Sequence, residues 1–87
     1  MNSAAEDPPA QDPAGQQPSV SLDCLGMKCP QPIIVLARRI GEVSIGELIE
    51  LIADDPAAGP DVAAWCRMRG QELAASIPPR FVVRRLA

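Results

Sequence analysis

The chain has no histidine and no tyrosine, and it carries a single tryptophan and a single phenylalanine. Without histidine, no Cys–His nucleophile pair can form within one molecule, so any proton must move through solvent, a carboxylate or a partner. That speaks against a self-contained thiol hydrolase. So few aromatics leave no stacking platform for nucleic-acid bases, and they make any core aliphatic. Three cysteines are an odd count for a disulfide framework. Three cysteines without histidine also make a poor zinc site, and the Cys24-x4-Cys29 spacing is unusual for one. We expect no metal. No run approaches the roughly 18 apolar residues of a membrane span, and the N-terminus shows neither a basic n-region nor an apolar h-region. These features predict a cytoplasmic protein whose thiols stay reduced.

Lysine and arginine are absent from the first eighteen residues, where Pro8, Pro9, Pro13, Pro18 and Gly15 accompany Glu6, Asp7 and Asp12. Such a stretch cannot bury enough apolar surface to offset the entropy of ordering it. Residues 1–18 therefore read as a disordered acidic tail, and residues 19–87 as one domain. The net charge of −3 belongs to the tail, since the domain's remaining acids equal its eight bases. A neutral domain is not expected to bind nucleic acid directly. Arg80, Arg84 and Arg85 read as a solvated strand end. A domain of this size buries only about 60% of its unfolded surface.

Val20 to Cys24 alternates apolar and polar residues, the period of a half-buried strand. Gly26 and Cys29-Pro30-Gln31-Pro32 interrupt it. Ile33, Leu36, Ala37 and Ile40 then mark one apolar helix face, with Gly41 near its end. Gly46 opens a second strand over 47–53, which Asp54-Asp55-Pro56 closes. Pro60 and Asp61 suit a helix start. Val62, Trp65 and Cys66 give its buried face, and Gly70 its C-terminal stop. Strands over 72–76 and 80–86 follow, joined by Ile77-Pro78-Pro79. The order βαβαββ, with helices covering one face of the sheet, predicts a two-layer α/β sandwich. Leu48 and Ile52 fall on the face without helices, as edge apolar residues or as part of a contact surface.

One segment is built for reactivity. Cys29 precedes a proline, which favours the extended conformation of an N-cap residue. Pro30 would then be N1 and Pro32 N3, and the Gln31 N–H the expected partner of the Cys29 sulfur. A thiolate at the positive end of a helix gains about 1 kcal/mol. The Cys29 pKa is thus expected to fall from about 8.5 to roughly 7.5, with Lys28 pushing the same way. A thiol with a pKa near ambient pH is the better attacker. The plain alternative is a cap chosen for turn geometry, although Ser, Thr, Asp or Asn would cap better.

The string Leu22-Asp23-Cys24-Leu25-Gly26-Met27-Lys28-Cys29-Pro30-Gln31-Pro32 resembles the opening signature of TusA-like (SirA-like) sulfur carriers. Asp54-Asp55-Pro56, Asp61-Val62, Trp65-Cys66 and Gly70 match later landmarks of that family in order and spacing. The resemblance spans residues 20–86. It implies a mixed four-stranded sheet with two helices on one face. It also implies that Cys29 accepts sulfane sulfur as a covalent persulfide, with no other cofactor. The implied donor is a cysteine desulfurase or rhodanese, and a downstream sulfur-acceptor protein receives the sulfur. Relatives serve tRNA thiolation, molybdenum-cofactor supply or sulfur oxidation. Lys28, Pro30, Gln31 and Pro32 would form the supporting turn, and Asp55 would lie near Cys29 for partner contact or proton handling. Gln71 departs from the pattern, standing where a His often follows the glycine. Cys24 is an additional thiol, and Leu25 replaces the Arg of many relatives.

Cys24 shares a strand face with Val20 and Leu22, and Cys66 lies on the apolar helix face; both read as buried small hydrophobes. Two other functions compete with sulfur carriage: a thiol–disulfide switch using Cys24 and Cys29, and an interaction module in which Cys29 is only a cap.

Overall fold

The computed structural model describes residues 17–87. The expected tail lies outside that range except for Gln17 and Pro18. Strand β1 spans Val20–Asp23, helix α1 Gln31–Arg39, β2 Leu48–Ile52, α2 Ala58–Arg69, β3 Glu72–Ile77 and β4 Arg80–Arg84. A single turn of 3-10 helix, Ile40–Glu42, follows α1. The strands lie in the order β1-β2-β4-β3. β1 runs parallel to β2, and the other two pairings are antiparallel. The sheet is therefore mixed, and the chain is an α/β two-layer sandwich in the expected βαβαββ order.

Cross-strand register builds the core. Val20, Ile49, Val83 and Leu73 form one row across the sheet, and Leu22, Leu51 and Phe81 another. Onto these rows pack Leu36 of α1 and Ala58, Val62, Trp65 and Cys66 of α2. The predicted stripe of α1 faces this core, with Leu36 fully buried and Ile33, Ala37 and Ile40 partly so. Pro32, one turn before Leu36 and next to Ile33, is buried as well and widens the stripe.

Helix α2 starts at Ala58, earlier than Pro60 suggests. Asp55 is the cause: its side chain accepts the Ala57 N–H at 2.8 Å and its carbonyl accepts the Ala58 N–H at 2.9 Å. The helical turn is thus closed before Pro60, which sits in the first turn where a missing N–H is harmless. Gly70 ends the helix at φ 72°, a left-handed conformation that glycine adopts without a Cβ penalty.

The helix-free face corrects one expectation. Leu48 is not an edge residue: β2 is an inner strand, and Leu48 is fully buried, as is Val82. Charged side chains flank them. Arg84, opposite Leu48, donates to Gly46 O and to Glu72, both at 2.9 Å. Glu50, opposite Val82, pairs with Arg80 and accepts from the Ser21 hydroxyl at 2.6 Å. Long side chains commonly cover apolar surface with their stems in this way. Ile52 is half-buried. At the outer edge, β3 shifts register between Leu73 and Ala75 by a bulge.

Candidate functional site

Cys29 lies in the connection from β1 to α1, at the C-terminal ends of the parallel strands. Two neighbouring acids of the β2–α2 loop hold this connection. Asp54 accepts the Gly26 N–H at 3.1 Å, and Asp55 accepts the Cys29 N–H at 3.3 Å. Gly26 has φ 81°, so the turn that presents its N–H to Asp54 requires a residue tolerant of that region. Asp55 therefore both closes its own turn and lies at Cys29.

The amide cradle expected for the sulfur does not form. The Cys29–Pro30 peptide is cis, α1 begins at Gln31, and Pro30 is the N-cap, with no side-chain cap bond. The Gln31 N–H donates to Lys28 O at 2.9 Å, and the Ile33 and Ile34 N–H groups both donate to Pro30 O at 3.0 Å. The Gln31 N–H expected at the sulfur is therefore taken by a carbonyl, as are the next two amides of the helix start. Pro32 falls at N2 rather than N3.

Carboxylates surround the sulfur instead. The carboxylates of Asp61, on the first turn of α2, and of Asp55 act on the half-buried Cys29 thiol. The thiol pKa is pushed up to about 11, first by burial, then by the Asp61 carboxylate and the charge of Asp55. The predicted lowering is thus reversed. Lys28 acts on Asp55 rather than overriding the acids at the sulfur. The Asp55 carboxyl is held below the usual range by the Ala57 and Cys29 N–H groups, with Lys28 adding to them.

Pro30, the residue after Cys29, lines a cleft of about 210 Å³ between the helices, together with Ile33, Asp61, Ala64, Trp65 and Met68. Asp61, Ala64, Trp65 and Met68 are spaced i, i+3, i+4, i+7, one face of α2. Asp61 was legible as a helix-start residue but missed as part of the site. That spacing was the available signal, since it sets an acid on the stripe that faces α1.

The remaining candidates are placed as follows. Cys24 and Cys66 are buried, at 1% and 3% exposure, and all three cysteines are free. Burial pushes both thiols up, Cys66 to about 11. Gln31 and Pro30 are exposed at the helix start and Pro32 is buried beneath it. Gln71 binds the chain end: its amide oxygen accepts the Leu86 N–H at 2.6 Å, and its nitrogen donates to Ala87 O at 3.1 Å. Among the described residues no helix is long and apolar enough to cross a membrane.

The family model described as "Sulfurtransferase TusA" matches residues 20–83. A protein of Archaeoglobus fulgidus named "Putative sulfur carrier protein" is 42% identical over 52 residues, covering 60% of this chain and 68% of that protein. Both matches agree with a thiol set at a helix-start turn of a mixed-sheet sandwich, and the chain belongs to the TusA sulfurtransferase family, whose role is that of a sulfur carrier.

Proposed function

We propose that the chain carries sulfur as a persulfide on Cys29, taken from a cysteine desulfurase or rhodanese and relayed to an acceptor protein in the cytoplasm. The acceptor serves tRNA thiolation, molybdenum-cofactor supply or another sulfur-relay pathway. The observation that carries this reading is that Cys29 is the one thiol of the three not sealed in the core, next in the chain to Pro30, which lines an open cleft. Burial of Cys24 counts against its exchanging with Cys29 as a redox switch.

The transfer conserves oxidation state. The Cys29 sulfur attacks the terminal sulfur of a donor persulfide, the donor's S–S bond breaks, and the donor departs as a thiol. Incubation with a cysteine desulfurase and L-cysteine, followed by intact-mass analysis, should show one added sulfur atom that reductant removes. Cys29→Ser should abolish the uptake, while Cys24→Ser and Cys66→Ser retain it. Equal loss in Cys24→Ser would replace the carrier with a dithiol exchange.

A further inference from the structure

We propose that the cleft between the β2–α2 loop and the β3–β4 turn receives a lysine or arginine side chain of the sulfur-donor protein, which docks there while Cys29 is loaded. The inference deepens the persulfide reading above by giving the donor a recognition element, and it rests on that reading.

This cleft has a volume of about 490 Å³, within the range of about 300–1,000 Å³ usual for binding sites. It shares no lining residue with the cleft between the helices. Pro56, Pro60, Pro78 and Pro79 make up much of its wall. Proline rings lock their own backbone and lose no side-chain freedom on contact, so the wall is formed before a partner arrives. The Ala53 N–H donates to Pro79 O at 2.9 Å and ties the two sides together. Ala53 and Phe81 line the cleft from the core, each only 1% exposed. Such a wall suits the methylene stem of a long side chain.

Charge selects the head of that side chain. Both ionisable residues lining the cleft are acids, Asp54 and Asp55. Asp54 accepts the Gly26 N–H at 3.1 Å, and Asp55 accepts those of Ala57 at 2.8 Å and Cys29 at 3.3 Å. These donors are neutral amides and leave the two negative charges in place. Arg80, next in the chain to Pro79, is engaged with Glu50, and Lys28 acts on Asp55. An incoming ammonium or guanidinium thus meets carboxylate oxygens beside an apolar wall.

The same two aspartates assign the occupant to the donor. Their hydrogen bonds to Gly26 and Cys29 make them common to the cleft and to the turn that presents the thiol. The Asp55 charge also disfavours the Cys29 thiolate. A cation docked against these carboxylates offsets that charge and eases ionisation of the thiol. Loading needs this, because Cys29 is then the attacking sulfur. Unloading does not, because the acceptor attacks the sulfur that Cys29 already carries.

Gly59 supplies the test. It lines the cleft, and a Cβ added there meets Phe81 at 3.5 Å, an ordinary contact. Gly59→Leu therefore fills the cleft from the α2 side. Loading is followed by intact mass with two donors, a persulfidated cysteine desulfurase and N-acetylcysteine persulfide, which is small and has no cationic group. The half-saturating concentration of the desulfurase should rise by about tenfold in Gly59→Leu, the scale of one lost interface anchor. Loading from N-acetylcysteine persulfide should change by less than about twofold, since it uses no such anchor. Asp54→Asn keeps an oxygen for the Gly26 N–H and removes the charge. It should also weaken the desulfurase, and half-saturation should then depend less on added sodium chloride than in the parent. Unchanged half-saturation in either variant overturns the proposal. Equal slowing with both donors overturns it too, and would make the cleft a structural support of the turn. Trp65 fluorescence reports folding, and if Gly59→Leu does not fold, Gly59→Val is measured against the same outcomes. If the unmodified chain loads from neither donor, the persulfide reading itself fails; if it loads and the variants match it, only the docking role fails.

Discussion

Asp55 accepts the backbone N–H of Cys29 at 3.3 Å through one carboxylate oxygen and that of Ala57 at 2.8 Å through the other. One side chain thereby ties the reactive turn to the start of α2, the element that carries Asp61. Asp55→Ala should cut both ties, slowing sulfur uptake by about tenfold through misplacement of the thiol. It should also lower the midpoint of thermal unfolding. Single-turnover loading and a thermal scan check the two effects. Wild-type behaviour in both would show that the tie is idle.

The acidity of Cys29 gives a second prediction. Its pKa is pushed up to about 11, so iodoacetamide should modify it slowly at neutral pH, with a rate still climbing above pH 9. Mass spectrometry localises the label and gives the profile. A midpoint near or below about 8.5 would instead favour an amide cradle at the sulfur, against the carbonyl bonds of the Gln31, Ile33 and Ile34 amides.

Alkaline stability follows from Cys66. Burial raises its pKa from 9.0 to about 11, so the folded chain holds this proton more tightly than the unfolded chain does. Between those values the unfolded state binds fewer protons, and stability falls as pH rises. The contribution is intact below pH 9 and disappears as pH passes through about 11. Urea melts at increasing pH should show the decline, and Cys66→Ala should make it shallower, leaving the share of Cys29 and Cys24, whose pKa values are also raised, while losing some packing stability at every pH.

Two glycines with positive φ should separate folding from function. Gly26 and Gly70 have φ of 81° and 72°, and an added Cβ at either meets no atom within 4 Å. Alanine at each should therefore cost about 1 kcal/mol through backbone strain alone. Gly70→Ala should leave sulfur loading unchanged. Gly26→Ala should slow it, because the Gly26 N–H is held by Asp54 on the loop that presents Cys29. Equal loading rates in the two variants would disconnect that loop from the site.

The ion pair on the helix-free face supplies a further test. Glu50 is opposed by burial, yet the Ser21 hydroxyl and Arg80 together hold its carboxyl below the usual range. Arg80→Ala should cost about 1–3 kcal/mol, because it leaves a half-buried carboxylate with one partner fewer. The depressed pKa makes the stabilisation present above the unfolded value, near 4.5, and lost as pH falls through the folded one. The stability difference between Arg80→Ala and the parent should therefore narrow in acid, as denaturant melts can show.

Periodicity made the architecture legible. The stripe Ile33, Leu36, Ala37, Ile40 identified α1, and Gly70 marked the end of α2 because a glycine past an apolar face is a common helix stop. Cys29 stood out for a similar local reason, a thiol followed by prolines at a helix start. The charge environment of that thiol was not legible. It depends on which carbonyls accept the first-turn amides and on the approach of Asp55 and Asp61 from an element more than twenty residues away, and composition carries neither. Leu48 was misplaced for a related reason: alternation assigns a face but does not reveal that the sheet order makes β2 interior, flanked by arginine side chains.

The bulge between Leu73 and Ala75 bears on how this molecule meets others. An outer strand with regular spacing offers a row of amides on which a neighbouring chain can add itself. The extra residue, Ala74, breaks the repeat of that row. Deleting Ala74 should straighten the strand and promote sheet-to-sheet association, visible as light scattering at high concentration. In the intact chain this border of the sheet is thus a poor template for a neighbouring strand.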